Sequence, residues 1–145
     1  TTIYIYYSRN KYTLTVNGNE NISSTTGSGE YKYGKSVQIS AVINNVKGYN
    51  YSWSGWTSSD ITVPTTQKAT ITMPSKNVTI TANANRTIQE YKISYDLAGG
   101  KLADDVSNPT TYNVESENIT LNNPTKEGFV FAGWIENDVN LGTKL

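Results

Sequence analysis

Alternation of apolar and polar residues is the strongest regularity along the chain. Residues 12–16 alternate strictly and end at the turn-forming pair Asn17-Gly18. Residues 91–97 alternate in the same way and are followed by the pair Gly99-Gly100. A repeat of two residues is that of a β-strand with one buried face, so each segment predicts a strand that opens a unit.

Both units then continue with the same order of elements. A second alternating segment is followed by an aromatic strand, which begins after a glycine and leads to a Gly-Trp pair. Four landmarks recur at separations of 78 to 82 positions, namely Tyr12 and Tyr91, Val37 and Ile119, Gly48 and Gly128, and Trp56 and Trp134. Small insertions between fixed landmarks are typical of tandem repeats, so the sequence predicts two sibling β-modules.

The segments at the two ends of the chain fit the same scheme. Residues 78–86 form an alternating segment before Tyr91, and residues 3–9 stand before Tyr12 in the same position. We interpret residues 3–9 as the closing strand of a preceding module. By the same reasoning, we expect the closing strand of the second unit beyond Leu145.

Composition also predicts a mainly β fold of small modules. The chain has 20 Thr, 17 Asn and 14 Ser, and its 22 Ile and Val outnumber 6 Leu. These residue types favour strands and turns over helix interiors. From the repeated order of segments, we expect a closing strand over residues 1–9, a module over residues 10–87, and a truncated module over residues 88–145 that lacks its last strand.

The chain offers few residues for catalysis or metal binding. It has no His and no Cys, and its 12 Lys and Arg balance 12 Asp and Glu. These absences remove the usual general base near neutral pH, the thiolate nucleophile, the commonest zinc ligands and any disulfide. No segment reaches the roughly 18 apolar residues of a membrane span, and no global basic field suits nucleic acid. We expect no catalytic residue, cofactor, metal site, nucleic-acid partner or membrane span in this segment.

The acidic side chains form no recognisable ligand set. Asp104-Asp105, Glu115 and Glu117 lack the spacing of a calcium-binding loop, so we interpret them as solvated turns. Residues 1–90 carry 8 basic and 4 acidic side chains, and residues 91–145 carry 4 and 8. The halves are therefore +4 and −4, which favours head-to-tail contact between copies.

The aromatic residues are the candidates for a core and for a binding surface. We interpret Trp56 and Trp134 as core anchors, each brought to the buried face by a bulge at the preceding glycine. Trp53 is surplus, and it either offers an exposed platform to a sugar ring or a partner, or packs against its own sheet edge or a neighbouring module. Tyr4 and Tyr6 either form a stacking surface or line the outer face of an ordinary strand.

The second unit resembles a known repeat family. The segment 91–100, the pair Asn108-Pro109 and the segment 124–134, which ends in Phe-Ala-Gly-Trp, closely resemble the internalin B-repeat, also called the Listeria–Bacteroides repeat. We extend this resemblance over residues 91–145. It implies a β-grasp-like fold for the second module and supplies no catalytic residue.

The first unit resembles a divergent relative of that family. Residues 12–84 are similar to the divergent bacterial repeat domain through the segments 33–37, 48–56 and 73–79. Its glycine-to-tryptophan spacing is eight residues, whereas the spacing in the second unit is six. This difference leaves open whether Trp53 or Trp56 is the family tryptophan.

These resemblances imply a role in bacterial surface proteins, where such modules stand in tandem between a head and a cell-wall anchor. We expect a non-enzymatic repeat segment of a cell-surface or secreted protein, of Gram-positive type, that acts as a stalk, spacer or adhesion-supporting structural module. The alternative is a ligand-binding module that takes a glycan or a host protein through exposed aromatics. The expected partners are neighbouring repeats of the same chain, with strand exchange between copies as a further option.

Overall fold

The computed structural model describes residues 1–136 and 139–142, the last four by their backbone alone. The described residues form eleven β-strands and no helix, which confirms the mainly β prediction. The chain separates into two compact units, Thr1–Thr87 and Ile88–Leu145.

The first unit contains seven strands in two sheets. One sheet has the order β3-β1-β7-β5 and the other has the order β2-β4-β6. The strands are β1 (Lys11–Gly18), β2 (Ile22–Thr26), β3 (Gly29–Lys32), β4 (Ser36–Ile43), β5 (Tyr49–Thr57), β6 (Lys68–Thr72) and β7 (Val78–Ile88). The alternating segments of this unit are therefore strands, as their pattern predicts.

Both sheets bury their apolar positions in one hydrophobic core. Leu14, Ile80 and Trp56 come from the first sheet and Ile39 from the second, and all four are at most 4% exposed. Met73, which follows β6, is fully buried beside them. Burial of each large apolar side chain stabilises a fold by about 1.5–3 kcal/mol, so this cluster holds the cysteine-free unit together.

Strand β7 is central to the first sheet. It lies between β1 and β5, and its pairing with β1 is parallel, with Leu14 opposite Val78 and Val16 opposite Ile80. Its inward side chains are at most 1% exposed over four alternate positions, namely Val78, Ile80, Ala82 and Ala84. As the last strand of this unit, β7 thus completes both the hydrogen-bonded ladder with β1 and the hydrophobic core.

The second unit has shorter strands. They are β8 (Tyr91–Lys92), β9 (Thr111–Tyr112), β10 (Trp134–Glu136) and β11 (Val139–Gly142), with an isolated bridge between Lys101 and Thr125. The strand predicted over residues 91–97 covers only its first two positions, and residues 129–131 carry no strand. Leu121 and Asn108 are the buried residues among those described in this unit, and the alternate residues 91, 93, 95 and 97 are only partly buried. The β-grasp-like arrangement stays a prediction.

The residues before β1 carry neither strand nor helix. Five apolar side chains in this segment are 74–94% exposed, namely Ile3, Tyr4, Ile5, Tyr6 and Tyr7. The interpretation of residues 1–9 as the closing strand of a preceding module stays a prediction.

Candidate functional site

The aromatic residues of the first unit lie along strand β5. Tyr49, Tyr51 and Trp53 occupy alternate positions, and each is half-buried. The Tyr49 and Tyr51 ring centroids are 6.5 Å apart, and the Arg86 guanidinium lies 4.5 Å from the Tyr49 centroid. This row of rings is therefore partly covered by its own unit and partly open to solvent.

A change of direction at Gly55 brings two tryptophans to the same core. Gly55 has a φ of 117°, a backbone conformation that residues other than glycine rarely adopt. Because the strand is altered there, Trp53 and Trp56 meet in an edge-to-face contact with centroids 5.3 Å apart, despite their odd separation. Trp56 is 4% exposed, which confirms it as a core anchor.

Both indoles also hold the loop between β5 and β6. The Trp53 Nε1–H donates to the Thr65 carbonyl at 3.3 Å, and the Trp56 Nε1–H donates to the Thr66 carbonyl at 2.9 Å. The side chain of Gln67 continues this attachment by donating to the Ala41 carbonyl at 2.8 Å. Trp53 therefore has a structural role in addition to any binding role. Only the solvent-exposed part of its ring is accessible to a partner.

Tyr4 and Tyr6 lie in the segment before β1. They are 79% and 94% exposed, and no ring contact joins either of them to Trp53 within the described parts of the chain. The three candidate binding residues thus form two separate groups.

The second unit contains a cleft that the sequence pattern does not predict. Its cavity volume is about 690 Å³. Aromatic rings and charged side chains both line it, namely those of Tyr95, Tyr112, Trp134, Lys92, Asp96, Glu117 and Glu136. No single motif in the sequence signals it, because Tyr95 and Trp134 lie in segments whose pattern indicates ordinary strand and core positions.

Tyr95 and Trp134 form the aromatic wall of this cleft. Their ring centroids are 5.7 Å apart in an edge-to-face contact, and Phe131 makes a second such contact with Trp134 at 5.7 Å. The Tyr95 hydroxyl donates to the Pro109 carbonyl at 2.6 Å, and the Trp134 Nε1–H donates to Asn123 Oδ1 at 3.2 Å. Trp134 is half-buried, so it anchors its unit less completely than Trp56 anchors the first.

The ionisable groups of the cleft do not assemble into a reactive set. Burial raises the pKa of the Tyr95 phenol above its ordinary value of 10.0, so this group stays protonated near neutral pH. The Asp96 carboxylate accepts a hydrogen bond from the Ala98 N–H at 2.8 Å and so supports a turn. Within the described residues, no group of three or more acidic side chains is placed to hold a metal ion.

Two β-units whose landmarks recur in the same order define a tandem β-repeat. Residues 12–86 match the divergent InlB B-repeat domain, and residues 91–145 match the Listeria-Bacteroides repeat domain. The first match covers more than half of the chain, which therefore belongs to the InlB B-repeat family. Both matches confirm the resemblances seen in the sequence.

The family defines the broad setting of the chain. Repeat domains of this kind are typical of bacterial surface or secreted proteins and are generally non-enzymatic. Neither a curated protein nor a solved structure matches the chain. The described residues include no helix with the length and apolar character needed to cross a membrane.

Proposed function

We propose that this chain is a non-enzymatic spacer within a bacterial surface or secreted protein of Gram-positive type. The observation that carries the proposal is the direct succession of two repeat domains, with only residues 87–90 between the two matched regions. A connection this short restricts the independent motion of two modules. In a surface protein, modules joined in this way hold the domain at the outer end at a set distance from the cell-wall anchor. They support adhesion by that domain.

Side-chain hydrogen bonds between distant parts of the first unit stabilise a spacer that has no cysteine. The buried Asn21 amide donates from Nδ2 to the Ala84 carbonyl at 2.9 Å, and the Asn19 amide donates to the same carbonyl at 2.9 Å. Each bond joins the start of the unit to its closing strand across more than sixty positions. A net contribution of about 1 kcal/mol from each such bond supports the folded ladder.

Small-angle X-ray scattering tests the spacer role. We expect a narrow distribution of particle lengths, because short connections keep the modules at a set separation. The matched control is the same chain with a Gly/Ser insertion between Gln89 and Glu90, which should broaden and lengthen the distribution. An unmodified chain that scatters like the flexible control would contradict the proposal.

A second candidate function is binding of a glycan or a host protein. The observation that favours it is the exposure of Tyr4 and Tyr6, together with the uncovered part of the half-buried Trp53 ring. Aromatic faces of this kind stack on sugar rings or serve as interface anchors. A glycan array and host-protein capture, each repeated with Trp53→Ala and with Tyr4→Ala/Tyr6→Ala, test it. Specific binding that is lost in a variant with an unchanged circular dichroism spectrum supports this role. If the unmodified chain binds no glycan and no host protein, the binding role is wrong.

A further inference from the structure

Each unit contains an equivalent antiparallel strand pair, so residue positions in one unit can be aligned with those in the other. In the first unit β1 and β3 are antiparallel, with Tyr12 opposite Tyr31. In the second unit β8 and β9 are antiparallel, with Tyr91 opposite Tyr112 and their rings stacked at 5.2 Å. Strand β8 therefore corresponds to the beginning of β1, shifted by 79 positions.

The other edge of this strand differs between the units. In the first unit, residues 14–18 pair with β7. The same shift carries these positions to residues 93–97, which carry no strand in the described structure. Residues 92–96 instead line the cleft of the second unit. The part of the first strand that β7 covers in the first unit thus corresponds to residues that line a cleft in the second.

A segment with the pattern of β7 stands at the beginning of the chain. When Arg9 is aligned with Arg86, the alternating side chains Ile3, Ile5 and Tyr7 fall on β7 positions that are at most 1% exposed. These three side chains are instead 74–90% exposed. Within the described residues, no hydrogen bond to residues 3–9 is found, so the segment keeps its backbone groups available for pairing.

We propose that the cleft of the second unit binds the N-terminal segment of a second copy as a parallel β-strand, with residues 1–5 opposite residues 93–97. The strand would bring Ile3 and Ile5 into an apolar site walled by Tyr95 and Trp134. The cleft carries three carboxylates and one lysine, whereas residues 1–10 carry Arg9 and no carboxylate. The opposite net charges therefore favour association of the segment with the cleft.

This mode of binding joins different surfaces of the two copies. The donor segment of one chain fills the cleft of the next, so the contact is head-to-tail and each added copy presents another free segment. The proposal rests on the repeat relationship of the two units and goes beyond the spacer role. The chain can be a rigid spacer and yet fail to associate, so the scattering experiment and the tests below are independent.

A disulfide test locates the contact, because the chain contains no cysteine of its own. In the register of β1 and β7, Thr15 lies opposite Thr79, and the corresponding positions in the proposed complex are Ser94 and Thr2. A copy with Thr2→Cys mixed with a copy with Ser94→Cys should form a mixed disulfide under mild oxidation. The matched control pairs Thr2→Cys with Ala103→Cys, an exposed position outside the cleft, and should cross-link much more slowly.

Sedimentation tests the side chains of the donor. The average mass of the unmodified chain should rise with concentration, and Ile3→Ser/Ile5→Ser should return it to that of a monomer. The matched control, Tyr4→Ser/Tyr6→Ser, changes the opposite face of the same exposed segment and should leave most of the association. All four positions are exposed, so these variants keep the fold, and circular dichroism verifies this.

Three results would overturn the proposal. The first is a chain that stays monomeric at every concentration, and the second is association that Ile3→Ser/Ile5→Ser does not weaken. The third is a fast disulfide within single chains that carry both Thr2→Cys and Ser94→Cys, accompanied by a monomeric mass. That outcome would mean that the segment fills the cleft of its own chain.

Discussion

At the scale of single residues, the two tryptophans of β5 share a loop but differ in burial. Trp56 is 4% exposed and Trp53 is half-buried, while each donates one hydrogen bond to the loop before β6. Apolar area removed from water sets most of the energetic difference between them. The surplus tryptophan thus has a physical reason to be present even where no ligand binds.

Truncation of these two side chains should separate their roles. We expect Trp56→Ala to lower the free energy of unfolding by about 3–5 kcal/mol, because it empties a packed core site. Trp53→Ala should cost about 1–2 kcal/mol, because less area is lost together with one hydrogen bond. Urea unfolding followed by circular dichroism measures both values. Equal costs for the two variants would contradict the assignment of Trp56 as the core anchor.

Tyr95 should make the second unit sensitive to alkaline pH. Burial raises the pKa of its phenol in the folded chain above the ordinary value of 10.0. The unfolded chain therefore loses this proton first, so the stabilising effect is complete below pH 10 and decreases as pH rises above that value.

Unfolding of the chain between pH 8 and pH 11.5, followed by tryptophan fluorescence, measures this dependence. Tyr95→Phe should make the alkaline loss of stability smaller, although it also removes the hydrogen bond to Pro109. Tyr4→Phe is the control, because Tyr4 is 79% exposed. An alkaline loss that is the same in all three proteins would exclude Tyr95 as its source.

At the scale of elements, strand β5 depends on the backbone conformation of Gly55. A Cβ at this position would meet no atom within 4 Å, so any cost of Gly55→Ala arises from its φ of 117°. We expect a loss of about 1–3 kcal/mol in the free energy of unfolding. Ser54→Ala, at the neighbouring exposed position, should change it by less than about 0.5 kcal/mol. A neutral Gly55→Ala would show that the strand does not need this conformation.

The sequence pattern predicts the elements of the first unit better than those of the second. Alternation identifies β1, β4 and β7 because each of these strands has a buried face in the same core. Residues 93–97 alternate just as clearly, yet a strand also needs a neighbour to pair with and a surface to cover it. Periodicity reports which face would be buried and carries no information about whether the covering strand is present.

The candidate site shows the same limit. The sequence singles out Trp53, Tyr4 and Tyr6 as aromatic residues without an evident core role. It does not identify the cleft, since Tyr95 and Trp134 belong to segments whose pattern indicates ordinary core positions. The structure adds that Tyr91 pairs with Tyr112 and that residues 92–96 line the cleft.

At the scale of the whole molecule, the two units differ in the size of their cores. Twelve of the thirteen buried apolar residues described belong to the first unit, and only Leu121 belongs to the second. We therefore expect the second unit to unfold at lower urea concentration, in a transition separate from that of the first. Tryptophan fluorescence should show the early step in the unmodified chain and lose it in a Trp134→Phe variant, whereas far-ultraviolet circular dichroism should report both steps. A single transition seen by both probes would contradict this expectation.

The concentration dependence of the early transition connects unit stability with the proposed strand exchange. A segment that binds only the folded cleft stabilises the second unit by mass action, so the urea midpoint of that unit should rise with chain concentration. The seven-stranded part of the first unit makes no contact in this scheme, so its midpoint should stay constant. Ile3→Ser/Ile5→Ser should remove the rise without lowering the midpoint of the dilute chain, because those side chains are exposed in the single copy. If both midpoints moved together, association would act on the whole chain and the cleft would not be its site.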